Sequence, residues 1–186
     1  DDGALEDGPI AVIGAGPAGL SAAFFLARAG FRVTVFEREQ SAGGVVRHVL
    51  PRFRIPREAL KKDIDHVARF GVDFRFGVTT VPPITKLREQ GYSYIIVSIG
   101  AEKSRRLSLP NGECLDSLRF LRTFSQTTDG GPSAASTRPE PFVSHELGKR
   151  VAVIGGGNTA MDSARAAIRV SGVEKVSVFY RRSEEE

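Results

Sequence analysis

The sequence predicts an α/β fold in which a parallel sheet is covered by helices on both faces. Three observations carry that expectation. Short apolar runs alternate with helical patterns along most of the chain. Those runs are continuously apolar rather than alternating, as strands buried on both faces are. Two of them run straight into a glycine-rich turn that opens an Ala-rich helix: Ile10-Ala11-Val12-Ile13-Gly14-Ala15-Gly16-Pro17-Ala18-Gly19 and Val151-Ala152-Val153-Ile154-Gly155-Gly156-Gly157-Asn158-Thr159-Ala160.

In chain order, the pattern predicts a strand over about 10–14, a helix over about 17–29 and a strand over about 32–37. A loop with Gly43-Gly44 follows and ends in Pro51 and Pro56. Leu60, Ile64, Val67, Ala68 and Phe70 recur near helical spacing and predict a helix over about 57–70. A strand is expected over 72–76, a short helix near 84–90 and an apolar strand over 94–99 that stops at Gly100. Leu115, Leu118, Leu121 and Phe124 predict a helix over 115–124. Thr127–Pro141, rich in Gly, Ser, Thr and Pro, reads as a flexible surface loop without chemistry. The second βαβ unit opens near 149 and is cut off at Ser183-Glu184-Glu185-Glu186, so apolar surface is expected to remain exposed there.

The glycine turns carry the chemistry. Gly14 permits the tight turn, Gly16 lets a pyrophosphate approach the backbone, and Gly19 lets helix and strand pack closely. The helix N-terminus then offers free N–H groups and a positive dipole end to phosphates. Gly155, Gly157 and Ala160 take the same three roles in the second turn. The fold is therefore expected to be Rossmann-like, with two dinucleotide-binding βαβ units, the second truncated.

The following strands distinguish the two turns. Arg32-Val33-Thr34-Val35-Phe36 ends at Glu37, an acid suited to the ribose hydroxyls of an unphosphorylated adenosine, as in FAD or NAD. Lys175-Val176-Ser177-Val178-Phe179-Tyr180 ends instead at Arg181-Arg182, whose guanidinium groups suit a 2′-phosphate. The second turn is thus expected to prefer NADPH. A solvated arginine pair at a strand end is the plainer alternative.

Composition narrows the class. The chain has 186 residues, 41% hydrophobic and 26% charged, as ordinary globular proteins are. Its apolar runs stay well short of the ~20 residues that span a bilayer, and no membrane partner is expected. The acidic start, Asp1-Asp2-Gly3-Ala4-Leu5-Glu6-Asp7, is unlike a signal peptide and reads as a cut inside a longer protein; cytoplasm is the default compartment. A formal charge of +4 without a basic, aromatic-interleaved stripe fits anionic dinucleotides better than nucleic acid. The single Cys114 excludes a CxxC pair within this chain and reads as partly buried. His48, His66 and His145 show no metal spacing, so no metal is expected. No general acid or base stands out, and hydride transfer needs none. Asp162 and Arg165 read as a routine i,i+3 pair.

Taken with Gly43-Gly44-Val45-Val46-Arg47, Pro51-Arg52-Phe53-Arg54-Ile55-Pro56, Gly91-Tyr92, Gly156-Gly157-Asn158-Thr159-Ala160-Met161-Asp162 and Tyr180-Arg181-Arg182-Ser183, the motifs resemble a known family. It comprises the small subunit of NADPH-dependent glutamate synthase and the N-terminal flavin module of dihydropyrimidine dehydrogenase. The chain also resembles the flavin module of a selenate reductase subunit of enteric bacteria. The resemblance implies an FAD domain interrupted by an NADPH domain, taking hydride from NADPH onto FAD. Electrons would pass on to an iron–sulfur acceptor domain or subunit outside this chain. It also implies FAD contacts from Gly14, Ala15, Gly16, Pro17, Ala18 and Gly19 at the pyrophosphate, and from Glu37 and Arg38 at the adenosine ribose. Gly43, Gly44, Val45 and Arg54 would lie along the flavin, Thr80 near the adenine, and Gly100 at the turn closing the site. Ser98-Ile99-Gly100 stands where the family has Ala-Thr-Gly, which removes a hydroxyl. NADPH would meet Gly156, Gly157, Asn158, Thr159, Arg181 and Arg182.

The domain reading is residues 1–110 for the first part of the FAD domain, 111–148 for a connecting helix and loop, and 149–186 for the start of the NADPH domain. Two other readings stay open: a nucleotide-binding scaffold without turnover, and a self-contained flavin oxidase, against which the second turn weighs.

Overall fold

A computed structural model describes residues 8–101, 107–110, 112, 114–128 and 147–182. They fall into two compact units. The first holds the residues up to His48 together with Ile55–Ala101; the second holds Val49–Arg54 and the described residues after Ala101.

The first unit is built on four parallel strands in the order β3-β2-β1-β4, with β1 at Ile10–Ile13, β2 at Val33–Phe36, β3 at Asp73–Arg75 and β4 at Tyr94–Val97. Ile10 lies opposite both Val33 and Tyr94, so β1 is central. Successive side chains point to opposite faces. Val12, Val33 and Val35 pack against Leu20, Ala23, Phe24, Ile64 and Val67 of α1 (Pro17–Arg28) and α3 (Arg57–Ala68). Ala11 and Phe36 pack instead with Leu87 of α4 (Ile84–Glu89), Tyr92 and Val78. Apolar residues on both faces explain the unbroken apolar strands. Full burial of Val12 and Val35 stabilises the sheet by roughly 1.5–3 kcal/mol each.

Helix α1 has Pro17 in its first turn, where a missing N–H costs nothing. It stops at Gly30, whose φ of +93° suits glycine. Gly30 N–H then donates to Ala27 O at 3.0 Å and Phe31 N–H to Leu26 O at 3.1 Å, a Schellman ending.

In the second unit, β5 (Arg150–Ile154) pairs in parallel with β6 (Lys175–Phe179). Helices α5 (Ser117–Thr128) and α6 (Asn158–Ala167) supply Phe120, Leu121, Ala166 and Ala167, which pack with Val49, Val151 and Val176. Ile154, Val178 and Phe179 stay exposed, as expected of this unit.

Four details differ from the sequence reading. The Gly43-Gly44 loop contains a short helix, α2 (Gly44–His48), begun by the Gly43 carbonyl accepting Val46 N–H at 3.1 Å. Helix α5 starts at Ser117 rather than 115, because Asp116 caps it: Oδ1 accepts Arg119 N–H at 2.8 Å. It also continues through Thr127 and Thr128, which the sequence assigned to the loop; 129–141 lies outside the described residues, as do His145 and the chain's last four residues. Cys114 is exposed rather than partly buried, since it precedes the cap and lies outside the core. Among the described residues no helix is long and apolar enough to cross a membrane.

Candidate functional site

The two glycine turns are built alike. Gly14 N–H donates to Phe36 O at 2.8 Å, and Gly155 N–H donates to Phe179 O at 2.8 Å. Each bond ties the turn to the neighbouring strand. Both glycines have positive φ, +102° and +125°, which disfavours any side chain.

The remaining glycines divide by what they serve. A Cβ on Gly14 would lie 2.5 Å from Ser98 O, and one on Gly19 would collide with Gly14 O. Those two are required by packing within the protein. Gly16 caps α1 with φ −73° and Gly157 caps α6 with φ −82°, values open to any residue. A Cβ on Gly16 would meet only Gly44 Cα at 4.0 Å, and one on Gly157 would meet nothing within 4 Å. Among the described residues nothing close by demands glycine at either position, and both cradles are open. Neither helix has a side-chain cap or an acidic residue in its first turn. N–H groups and dipole are thus left to an anion such as a pyrophosphate.

Around the first turn the structure gathers most of the residues expected there. Ala15 is fully buried; its N–H donates to Glu37 Oε2 at 2.7 Å and its carbonyl accepts Gly43 N–H at 2.8 Å. Glu37 Oε1 accepts Glu39 N–H at 2.9 Å. The buried acid therefore holds the turn as well as standing at the strand end, and each oxygen keeps a lone pair for a further donor. That structural role was missed in the sequence, since 22 residues separate the partners. Gly44 packs on the Gly16 backbone; a Cβ there would be 2.8 Å from Gly16 Cα. Pro17, Ala18 and Val45 are exposed, as are Arg38, Thr80 and Gly100. Thr80 lies two residues after Val78, whose N–H donates to Glu37 O at 2.9 Å.

Ser98 closes the back of this turn. Its hydroxyl lies 2.9 Å from Ile13 O and 3.0 Å from Gly14 O, and its N–H donates to Ile13 O at 2.8 Å. Ile99, where the resembling family has Thr, is exposed. A hydroxyl is present one residue earlier and serves the protein's own carbonyls.

Around the second turn, Asn158, Thr159, Arg181 and Arg182 are exposed. Gly156 is fixed by Tyr180: a Cβ would lie 2.7 Å from the tyrosine ring. Arg54, expected along the flavin, belongs to the second unit, where its Nη1 lies 3.5 Å from Asp162 Oδ1. The i,i+3 expectation gives way: Asp162 faces Arg54, and Arg165 stacks over Phe53 at 4.3 Å from the ring centroid. Both follow from Phe53-Arg54 lying on α6.

Residues 8–185 match the pyridine nucleotide-disulphide oxidoreductase family. The chain belongs to that family. It is 48% identical over 180 residues to YgfK of Escherichia coli (strain K12), covering 96% of this chain and 16% of that protein. It is 35% identical over 178 residues to the glutamate synthase [NADPH] small chain of the same organism, covering 95% of this chain and 37% of that one. The chain thus spans well under half of these relatives. In fold it resembles Mycobacterium tuberculosis FprA, solved in complex with NADPH, with a TM-score of 0.76 at 24% identity, covering 96% of this chain and 44% of FprA.

Proposed function

We propose that this family member is the hydride-entry part of a flavin-dependent oxidoreductase, with FAD on the first turn and NADPH on the second. The observation that carries this reading is the pair of like-built turns whose neighbouring strands end in opposite charges, Glu37 and Arg181-Arg182. The 35%-identical relative is named for NADPH, in keeping with it. The open space over Gly16 and Gly157 supports the reading. Bound FAD would accept a hydride from NADPH and release electrons singly to an iron–sulfur or other partner centre outside this chain.

The protein's own contribution is binding and orientation. Helices α1 and α6 present N–H groups to the two pyrophosphates. Glu37 would accept ribose hydroxyls on its spare lone pairs while bonded to Ala15. Gly43, Gly44 and Val45 would line the flavin beyond the turn, with Arg38 and Thr80 toward the adenosine. Arg181 and Arg182 would pair with the 2′-phosphate, and Asn158 and Thr159 would meet the dinucleotide at the start of α6.

The test is the visible spectrum of the chain reconstituted with FAD, recorded before and after anaerobic NADPH. A protein-bound flavin band that bleaches with NADPH, and far less with NADH, is expected. No retained flavin in a folded chain would overturn the reading for this chain. It would favour a nucleotide-binding piece without turnover, which the exposed apolar residues of β6 also suit.

A further inference from the structure

The side chain of Asp162 is only 2% exposed, and among the described residues its Oδ1 has no hydrogen-bond partner. A buried carboxylate in that state is costly. Its place in the fold sets it against a second anion. Asp162 is the fifth residue after Gly157, the cap of α6, so it lies about 7.5 Å along the axis from the turn. That is the helix end where a dinucleotide phosphate would bind, and an unneutralised carboxylate there repels the phosphate.

Among the described residues, a cation answers it. Arg54 Nη1 stands 3.5 Å from Asp162 Oδ1, with the arginine side chain 39% exposed. Arg54 does not reach there by chance of a long side chain. The Phe53 ring beside it lies under two guanidinium groups of the α6 region, Arg165 at 4.3 Å and Arg169 at 4.7 Å. Phe53 also meets Phe124 edge-on at 6.5 Å, and Ser125 Oγ donates to Val49 O at 3.2 Å. The whole Val49–Arg54 segment is thereby seated on α5 and α6.

We propose that Arg54 is a positioning residue of the second dinucleotide site, acting through charge: it neutralises Asp162 so that α6 can accept an anion at its N-terminus. This rests on the nucleotide reading above. The effect on the ligand is indirect, because Arg54 meets the carboxylate rather than the phosphate.

Charge neutralisation has a sign that a purely structural role lacks. Removing Arg54 should weaken anion binding, whereas removing the Asp162 charge should not, and removing both should restore it. The probe is 2′,5′-ADP, titrated calorimetrically into the full chain. Arg54→Met is expected to weaken binding by roughly tenfold, after allowance for solvent screening of a partly exposed arginine. Arg54→Lys should stay within about threefold of wild type, since the charge remains. Asp162→Asn, isosteric and uncharged, should bind as tightly as wild type or tighter, and the Arg54→Met, Asp162→Asn double variant should recover toward it. Wild-type affinity in Arg54→Met, or a loss in Asp162→Asn matching that in Arg54→Met, would overturn the assignment. If Arg54→Met does not fold by circular dichroism, Asp162→Asn decides by its sign: tighter binding than wild type is then the expected result, and unchanged or weaker binding would overturn the assignment. Failure of the wild-type chain to bind 2′,5′-ADP would instead remove the nucleotide reading, and the role of Arg54 with it.

Discussion

Ala15 and Glu37 are joined by a 2.7 Å hydrogen bond from a buried backbone N–H to a buried carboxylate. The acid that reads as a ribose ligand is thus also a brace for the turn beneath the pyrophosphate. Glu37→Ala should leave the Ala15 N–H buried without a partner and cost about 2 kcal/mol in the flavin-free chain. Glu37→Gln, which keeps an acceptor oxygen, should cost less. Urea denaturation of the flavin-free protein separates the two; equal stability for Glu37→Ala and wild type would show that the brace contributes nothing.

Gly16 and Gly19 should respond oppositely to the same methyl group. Gly19→Ala drives a Cβ into Gly14 O and is expected to destabilise by more than about 2 kcal/mol. Gly16→Ala meets only a 4.0 Å contact and should change stability by less than about 1 kcal/mol. It should nevertheless lose bound FAD, measured as the flavin-to-protein absorbance ratio after desalting. A Gly16→Ala chain that retains flavin like wild type would mean the cradle is not used.

Gly156 is expected to depend on Tyr180. Gly156→Ala should destabilise by roughly 1–2 kcal/mol, because the tyrosine ring must swing away. In a Tyr180→Ala background the same substitution should cost far less, a coupling visible in a double-mutant cycle by thermal melts. Additive losses would place the strain elsewhere.

Arg181→Ser and Arg182→Ser should each raise the KM for NADPH by about tenfold while leaving that for NADH within about twofold, since only the former carries a 2′-phosphate. Steady-state rates with ferricyanide as acceptor provide the measurement. Parallel losses for both nucleotides would mark the pair as a solvated strand end.

Much of the frame was legible because it is written in short-range signals. The apolar strands, the glycine turns and Pro17 each act within a few residues, and β1, α1, β2 and β5 begin or end within a residue or two of expectation. Helix α2 was not legible, because a glycine pair reads as a turn and a one-turn helix leaves no periodicity to detect. The Asp116 cap was present in the sequence and outweighed by the apolar spacing that begins at Leu115. The ion pair of Arg54 was not legible, because its partner Asp162 lies more than a hundred residues downstream. Glu37 shows the same limit in smaller form: its strand-end position is local, its bond to Ala15 is not.

Ser98 closes the back of the Gly14 turn from 84 residues further along the chain. During synthesis at about 5–20 residues per second, that partner emerges roughly 4–17 s after the turn itself. Strands β1 and β2 can pair in the meantime, but the first turn waits for its rear wall. The rear wall of the Gly14 turn is therefore complete only when β4 arrives.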